Sequence, residues 1–162
     1  MASTSYLARV IWKTHTLNEA TFAGEYSLML AAKSIPAPVS PPNTVESTTL
    51  EDDAQTFEMG IKQSSSREVT GNLNKNDLDA LDAVAGSKID IMHLYGTDGL
   101  GSVAKYAYVG EVVATPSDVG GVDSILEMTA TIVPNTVAKR VTSGYTVSYN
   151  SSTGKFTVAV AT

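Results

Sequence analysis

Apolar and polar positions alternate with a period of two along most of this chain. That is the signature of half-buried β-strands. In residues 25–33, EYSLMLAAK, Tyr26, Leu28 and Leu30 fall on one face, and Ser27 and Met29 on the other. The run 88–96, KIDIMHLYG, is apolar and β-branched, as a strand is. The glycine-rich stretch from Gly96 to Gly101 reads as a turn, and VAKYAYVGEVVAT (103–115) as the second strand of a hairpin. SILEMTATIV (124–133) alternates most cleanly: Leu126, Met128, Ala130 and Ile132 are expected in the core, Glu127, Thr129 and Thr131 outside. The C-terminal YTVSYNSSTGKFTVAV predicts two short strands around a Ser/Thr/Gly turn, a peripheral hairpin over about 144–162.

One segment has a different period. LNKNDLDALDAVAG (73–86) spaces Leu78, Leu81, Val84 and Ala85 as a helix does. Asn74 is the expected N-cap, with Leu73 and Leu78 as a hydrophobic staple. Asp77 and Asp79 lie near the positive end of the helix dipole, and Gly86 is expected to close the helix. The fold class read from these patterns is mainly β: a β-sandwich or barrel with one short α-helix packed on it, in a single domain over 1–162.

Residues 36–57 fit neither period. Pro41, Pro42 and Asn43 open a polar run with Thr44, Val45, Glu46, Thr48, Thr49 and Leu50, followed by three acids, Glu51, Asp52 and Asp53. Prolines restrict the chain's exit direction, and the threonine-rich run can offer a free ladder edge. A loop this long in a compact domain calls for a function. An extended assembly arm is expected here.

Composition narrows the possible functions. The 162 residues are 43 % hydrophobic and 17 % charged, an ordinary globular balance. No apolar run reaches the ~18 residues of a membrane span. The N-terminal stretch lacks the basic and apolar regions of a secretory signal, so none is expected. There is no cysteine, hence no disulfide framework, thiolate nucleophile or cysteine metal site. A net charge of −6 disfavours tight binding to nucleic acid, whose phosphates are held by Lys and Arg.

The candidate catalytic motifs fail on context. GTDGLGS precedes a strand, whereas a phosphate loop must open a helix. Ser102 and Lys105 match S-x-x-K, but on a strand residues three apart point to opposite faces. Asn72, Asn74, Asn76 and Asp77 begin like a calcium loop, yet its glycine and glutamate positions hold Asp77 and Ala83. His15 and His93 are too few for most zinc sites, and His93 reads as a half-buried structural residue. Asn150-Ser-Ser152 is spelled as a glycosylation sequon and reads as a turn. No cofactor, metal or enzymatic activity is expected.

The order of elements then carries a resemblance. A strand is followed by IPAPVSPPNTVESTTLEDDAQTFEMGIK, the helix NDLDALDAVAG, a strand pair ending in AYVGEVVATP, and SILEMTATIVP. Over about residues 25–134 this resembles the major tail (tail tube) proteins of long-tailed bacteriophages; the phrase PNTVESTTLEDDAQTFEMGIK is its most specific part. The resemblance implies a structural virion protein, assembled in the host bacterial cytoplasm. Its partners would be copies of itself, in hexameric rings stacked into a tube, together with a tape-measure protein, tail terminator and distal tail proteins. DNA would pass through without specific binding, and no membrane would be involved. The arm would reach the neighbouring ring, and Glu127, Thr129 and Thr131 would line the lumen if their strand belongs to the inner sheet. Flexible and contractile tubes are not separated by these features. Two other classes remain: a β-sandwich adhesion or carbohydrate-binding module, which would favour exposed aromatics although only 7 % of residues are aromatic, and a small barrel enzyme.

Overall fold

The computed structural model describes residues 4, 6–17, 21–62, 64–141 and 144–160. Within them the fold is mainly β: a curled antiparallel sheet of the sandwich or barrel kind, with a single short helix. The elements are β1 (Arg9–Thr14), β2 (Gly24–Leu28), β3 (Ala32–Ser34), β4 (Thr44–Glu46), β5 (Phe57–Met59), β6 (Arg67–Asn72), α1 (Lys75–Ala83), β7 (Ile89–Tyr95), β8 (Ala104–Pro116), β9 (Glu127–Pro134), β10 (Lys139–Arg140), β11 (Tyr145–Asn150) and β12 (Lys155–Val160). The main sheet runs β11-β12-β2-β1-β7-β8-β9-β6-β3, and β10 adds to β8. β4 and β5 form a separate ribbon.

The apolar run of β7 lies at the centre. Its first six residues are all buried. Ile89 and Ile91 enter one core with Val10, Tyr108, Val112 and Met128. Met92 and Leu94 point the other way, into a second core with Ile11, Tyr26, Phe156 and Val158. Each such side chain contributes about 1.5–3 kcal/mol when fully buried. β8 is long enough to serve both halves of the sheet. It pairs with β7 from Ala104 to Gly110, then with β9 from Gly110 to Pro116. A Cβ on Gly110 would sit 2.8 Å from the Val133 carbonyl oxygen, so the changeover point has no room for a side chain.

The strand expected over 25–33 is divided. β2 pairs with β1 and β12, whereas β3 pairs with β6 at the far end of the sheet. The intervening Met29 and Leu30 are both buried. A segment crossing between two parts of a curled sheet cannot keep a one-sided alternation. Gly71 of β6 admits this crossing, because a Cβ there would collide with the Ala31 carbonyl and the Leu30 side chain.

The helix forms where its period predicts. Asn74 Oδ1 accepts hydrogen bonds from the backbone N–H of Asn76 (2.9 Å) and Asp77 (3.4 Å). Leu81 is fully buried, with Leu73, Leu78 and Val84 packed around the same core. Val84 is the C-cap, so Gly86, at φ +81°, follows one residue later than the spacing suggested. In β9, Met128, Ala130 and Ile132 are buried as expected, but Leu126 precedes the strand and is exposed. The C-terminal hairpin does end the sheet. However, β12 pairs with β2, and Val147, Phe156 and Val158 are core residues. The hairpin is at the edge in topology and integral in packing.

His93 is fully buried, not half-buried as the sequence suggested. Its Nε2 lies 2.9 Å from the Tyr108 hydroxyl, and Nδ1 has no hydrogen-bond partner among the described residues. A second ring proton would therefore bury a donor without an acceptor. Burial, and then the nearby Arg67 charge, lowers its pKa from 6.5 to about 3. The unfolded chain thus binds more protons than the folded one between these values. Stability contributed by neutral His93 is full above pH 6.5 and falls by about 1.4 kcal/mol per pH unit as acid is added. We expect His93→Gln to flatten this dependence relative to wild type, as measured by urea midpoints at pH 7, 5 and 4. Parallel curves for the two proteins would contradict it.

Candidate functional site

The arm is a hairpin rather than a single extended strand. β4 and β5 pair in register Thr44↔Met59, Val45↔Glu58 and Glu46↔Phe57. The Gly60 N–H donates to the Asn43 carbonyl at the base, and the Ser47 N–H to Thr56 O (2.9 Å) further out. Pro41 and Pro42 lead into Asn43. Thr48, Thr49, Leu50, Glu51, Asp52 and Asp53 form the tip instead of continuing the strand. There the Asp52 carboxylate accepts from the Thr49 N–H (2.7 Å) and hydroxyl (3.2 Å). An Asp held this way favours a turn over a ladder, which is why the free edge expected along Thr44–Leu50 is confined to β4.

The ribbon's side chains project into solvent throughout. Leu50 is wholly exposed, Met59 and the following Ile61 are 81 % and 85 % exposed, and Val45 and Phe57 are more than half exposed. The return strand was not singled out from the sequence. Its signal is the alternation Phe57, Met59, Ile61, which resembles a strand that has a partner to face.

The root of the arm is clamped by a residue that the sequence did not mark. Arg67, on β6, is buried beneath it. Its Nε donates to Ala37 O (2.9 Å), Nη1 to Ser65 O (3.3 Å) and Nη2 to Pro38 O. The guanidinium also lies 5.3 Å from the Tyr108 ring centroid. An arginine at the start of an alternating strand carries no sequence signal for this role, because the two acceptors in the arm's root are backbone carbonyls 30 and 29 residues away.

The structure brings Glu127, Thr129 and Thr131 onto one face. They lie opposite Asn72, Thr70 and Glu68 of β6, and Thr129 and Thr131 also face Thr115 and Val113 of β8. Met128, Ala130 and Ile132 point to the other side, into the core that also holds Leu81 of α1. The polar face and the helix therefore occupy opposite sides of this part of the sheet. Glu127 pairs with Lys33 Nζ at 2.6 Å. Its charge is thus partly compensated, which weakens any repulsion it exerts. Thr129 is 3.4 Å from the Ser117 hydroxyl.

Among the described residues no group of three or more His, Asp or Glu is placed to hold a metal ion, and no helix is long and apolar enough to cross a membrane. His15 Nδ1 lies 2.7 Å from one oxygen of buried Asp90, and Lys13 Nζ 3.0 Å from the other. This arrangement ties β1 to β7. Burial pushes the Asp90 pKa up, against the pull of Lys13 and His15. The glycine-rich turn after β7 leads into β8, and the Arg9 guanidinium donates to its Gly99 carbonyl (3.4 Å). No protein-family model matches the sequence, and no curated protein does.

Replacing Arg67 with Leu should destabilise the fold by about 2–4 kcal/mol, since the carbonyls of Ala37 and Pro38 would lose a charged donor. Arg67→Lys should recover only part of this, because an ammonium cannot reproduce the planar fork. Guanidinium denaturation of the three proteins measures it. A Leu variant as stable as wild type would remove Arg67 as the clamp.

Proposed function

We propose that this chain is a structural protein that polymerises through its arm, as a tail-tube subunit of a long-tailed bacteriophage. The observation that carries this reading is the ribbon β4–β5. It is a two-stranded hairpin with exposed apolar side chains, joined to the main sheet by no ladder bond. An isolated hairpin is only marginally stable in water, and clustered exposed apolar residues mark interaction sites. A neighbouring copy supplies what the domain itself does not. The resemblance of the sequence to tail-tube proteins adds the form of the assembly: hexameric rings stacked into a tube, around a tape-measure protein, closed by terminator and distal tail proteins, and later traversed by DNA.

The polar face is the second support. In this reading it lines the channel. Glu68, Glu111 and Glu127 stand there among threonines, with Lys33 as the cation paired to Glu127. Such a wall carries little to grip phosphate.

Concentrated purified protein should form rings or hollow tubes of uniform width by negative-stain electron microscopy. Replacing residues 44–59 with Asn-Gly should leave a folded domain that no longer polymerises. A protein that stays monomeric at every concentration would defeat the proposal, and tubes from the shortened chain would acquit the arm. Unfolding of the shortened chain would instead place the arm in the folding core.

Lysine at both Glu127 and Thr129 would create a phosphate-binding wall and free Lys33 from its partner. Phages carrying the change should build tails but eject DNA more slowly, most visibly at low salt. Normal ejection through well-formed mutant tails would place this face away from the DNA path.

A further inference from the structure

A basic groove on the opposite strand pairing matches the arm in chemistry. β10 lies against the N-terminal half of β8, with Lys139 opposite Ala107 and Arg140 opposite Tyr106. Lys105 and Arg140 line a shallow groove of about 330 Å³ with Ser102 and Val103. Lys139 and Arg140 are exposed, Lys105 is half-buried, and none of the three has an ion-pair partner among the described residues. The register puts Lys139 on the face of Ala107 and Arg140 on that of Tyr106, and Lys105 and Arg140 line the groove while Lys139 does not. The groove shares Val103 and Ala104 with a larger, mainly apolar one of about 600 Å³, walled by Ile35, Val39, Tyr95 and Tyr106.

The arm presents the complementary sequence of surfaces. Its stem carries Phe57 and Met59 on one face, with Val45 on the other, and its tip carries Glu51, Asp52 and Asp53. Asp52 is committed to the Thr49 turn, whereas Glu51 and Asp53 have no ion-pair partner among the described residues. We infer that the joined grooves receive the arm of a second copy. The Phe57–Met59 face of the stem lies along the larger groove, and the acidic tip meets Lys105 and Arg140, beside Lys139. This deepens the assembly reading and rests on it. A contact between two different patches of the same chain is heterologous, so it propagates from copy to copy rather than stopping at a dimer. The charged end sets register and orientation and speeds encounter, while the apolar stem supplies most of the buried area.

The test is a charge exchange. Lys139→Glu with Arg140→Glu, and separately Glu51→Lys with Asp53→Lys, should each raise the protein concentration needed for assembly by roughly tenfold or more. The chain carrying all four substitutions should regain assembly, and every variant should melt like wild type because the changed side chains are exposed. If the Lys139/Arg140 variant assembles as wild type does, with the same salt dependence, the receiving surface is misassigned although the tube reading stands. If wild type gives no polymer, that reading fails, and the contact is judged by carbodiimide coupling in a mixture of ¹⁵N-labelled and unlabelled protein. Cross-links from Glu51 or Asp53 to Lys105 or Lys139 between labelled and unlabelled copies support it. Links within one copy only, or none, overturn it.

Discussion

Every other element is arranged around the burial of β7 on both faces. A strand with one wet face tolerates polar residues at alternate positions. Here Ile89 and Ile91 need one core, Met92 and Leu94 another, and the sheet must supply both. That requirement curls the sheet, brings α1 and β9 to one side, and brings the C-terminal hairpin to the other. It also sets the terms for the polar residues caught in β7. Asp90 is held with Lys13 and His15 at its two oxygens. His93 is kept neutral against Tyr108. Both are affordable because the apolar burial around them is large compared with their desolvation.

The arm is the counterpart of that interior. The domain spends its apolar residues on two cores, and the ribbon of β4 and β5 shares in neither. Its local order comes from three ladder pairs and the Asp52 turn. Its position comes from Arg67, which holds the root at Ala37 and Pro38. In the proposed assembly, a held root would restrict where the exposed ribbon docks before a partner is met. Less entropy is then lost on association. In the proposed assembly the acidic tip and the groove of Lys105 and Arg140 would be the two halves of a repeating contact.

Periodicity was a reliable guide wherever a segment faces one environment along its whole length. The helix, its Asn74 cap, the β7–β8 hairpin and the polar face of β9 were all legible, because their side chains sort by local geometry alone. It misled where the environment changes within a few residues. The run 25–33 looks like one strand, yet Met29 to Ala31 cross between parts of the sheet, and Leu126 continues an alternation past the point where the strand begins. The arm was legible as an arm from its prolines, threonines and acids. Its return strand was not, because Phe57, Met59 and Ile61 look like core residues and nothing local says that their partner is Thr44–Glu46.

The sequence by itself determined the class of the fold and the existence of the arm, since each follows from residue type and short-range spacing. The tertiary structure decided which residues serve two cores, that buried Arg67 holds the arm, and that Lys105 and Arg140 come to line one groove. These depend on pairings between residues far apart in the chain, such as Arg140 with Tyr106 and Arg67 with Pro38. No local pattern encodes such pairings, because they are selected by the packing of the whole sheet.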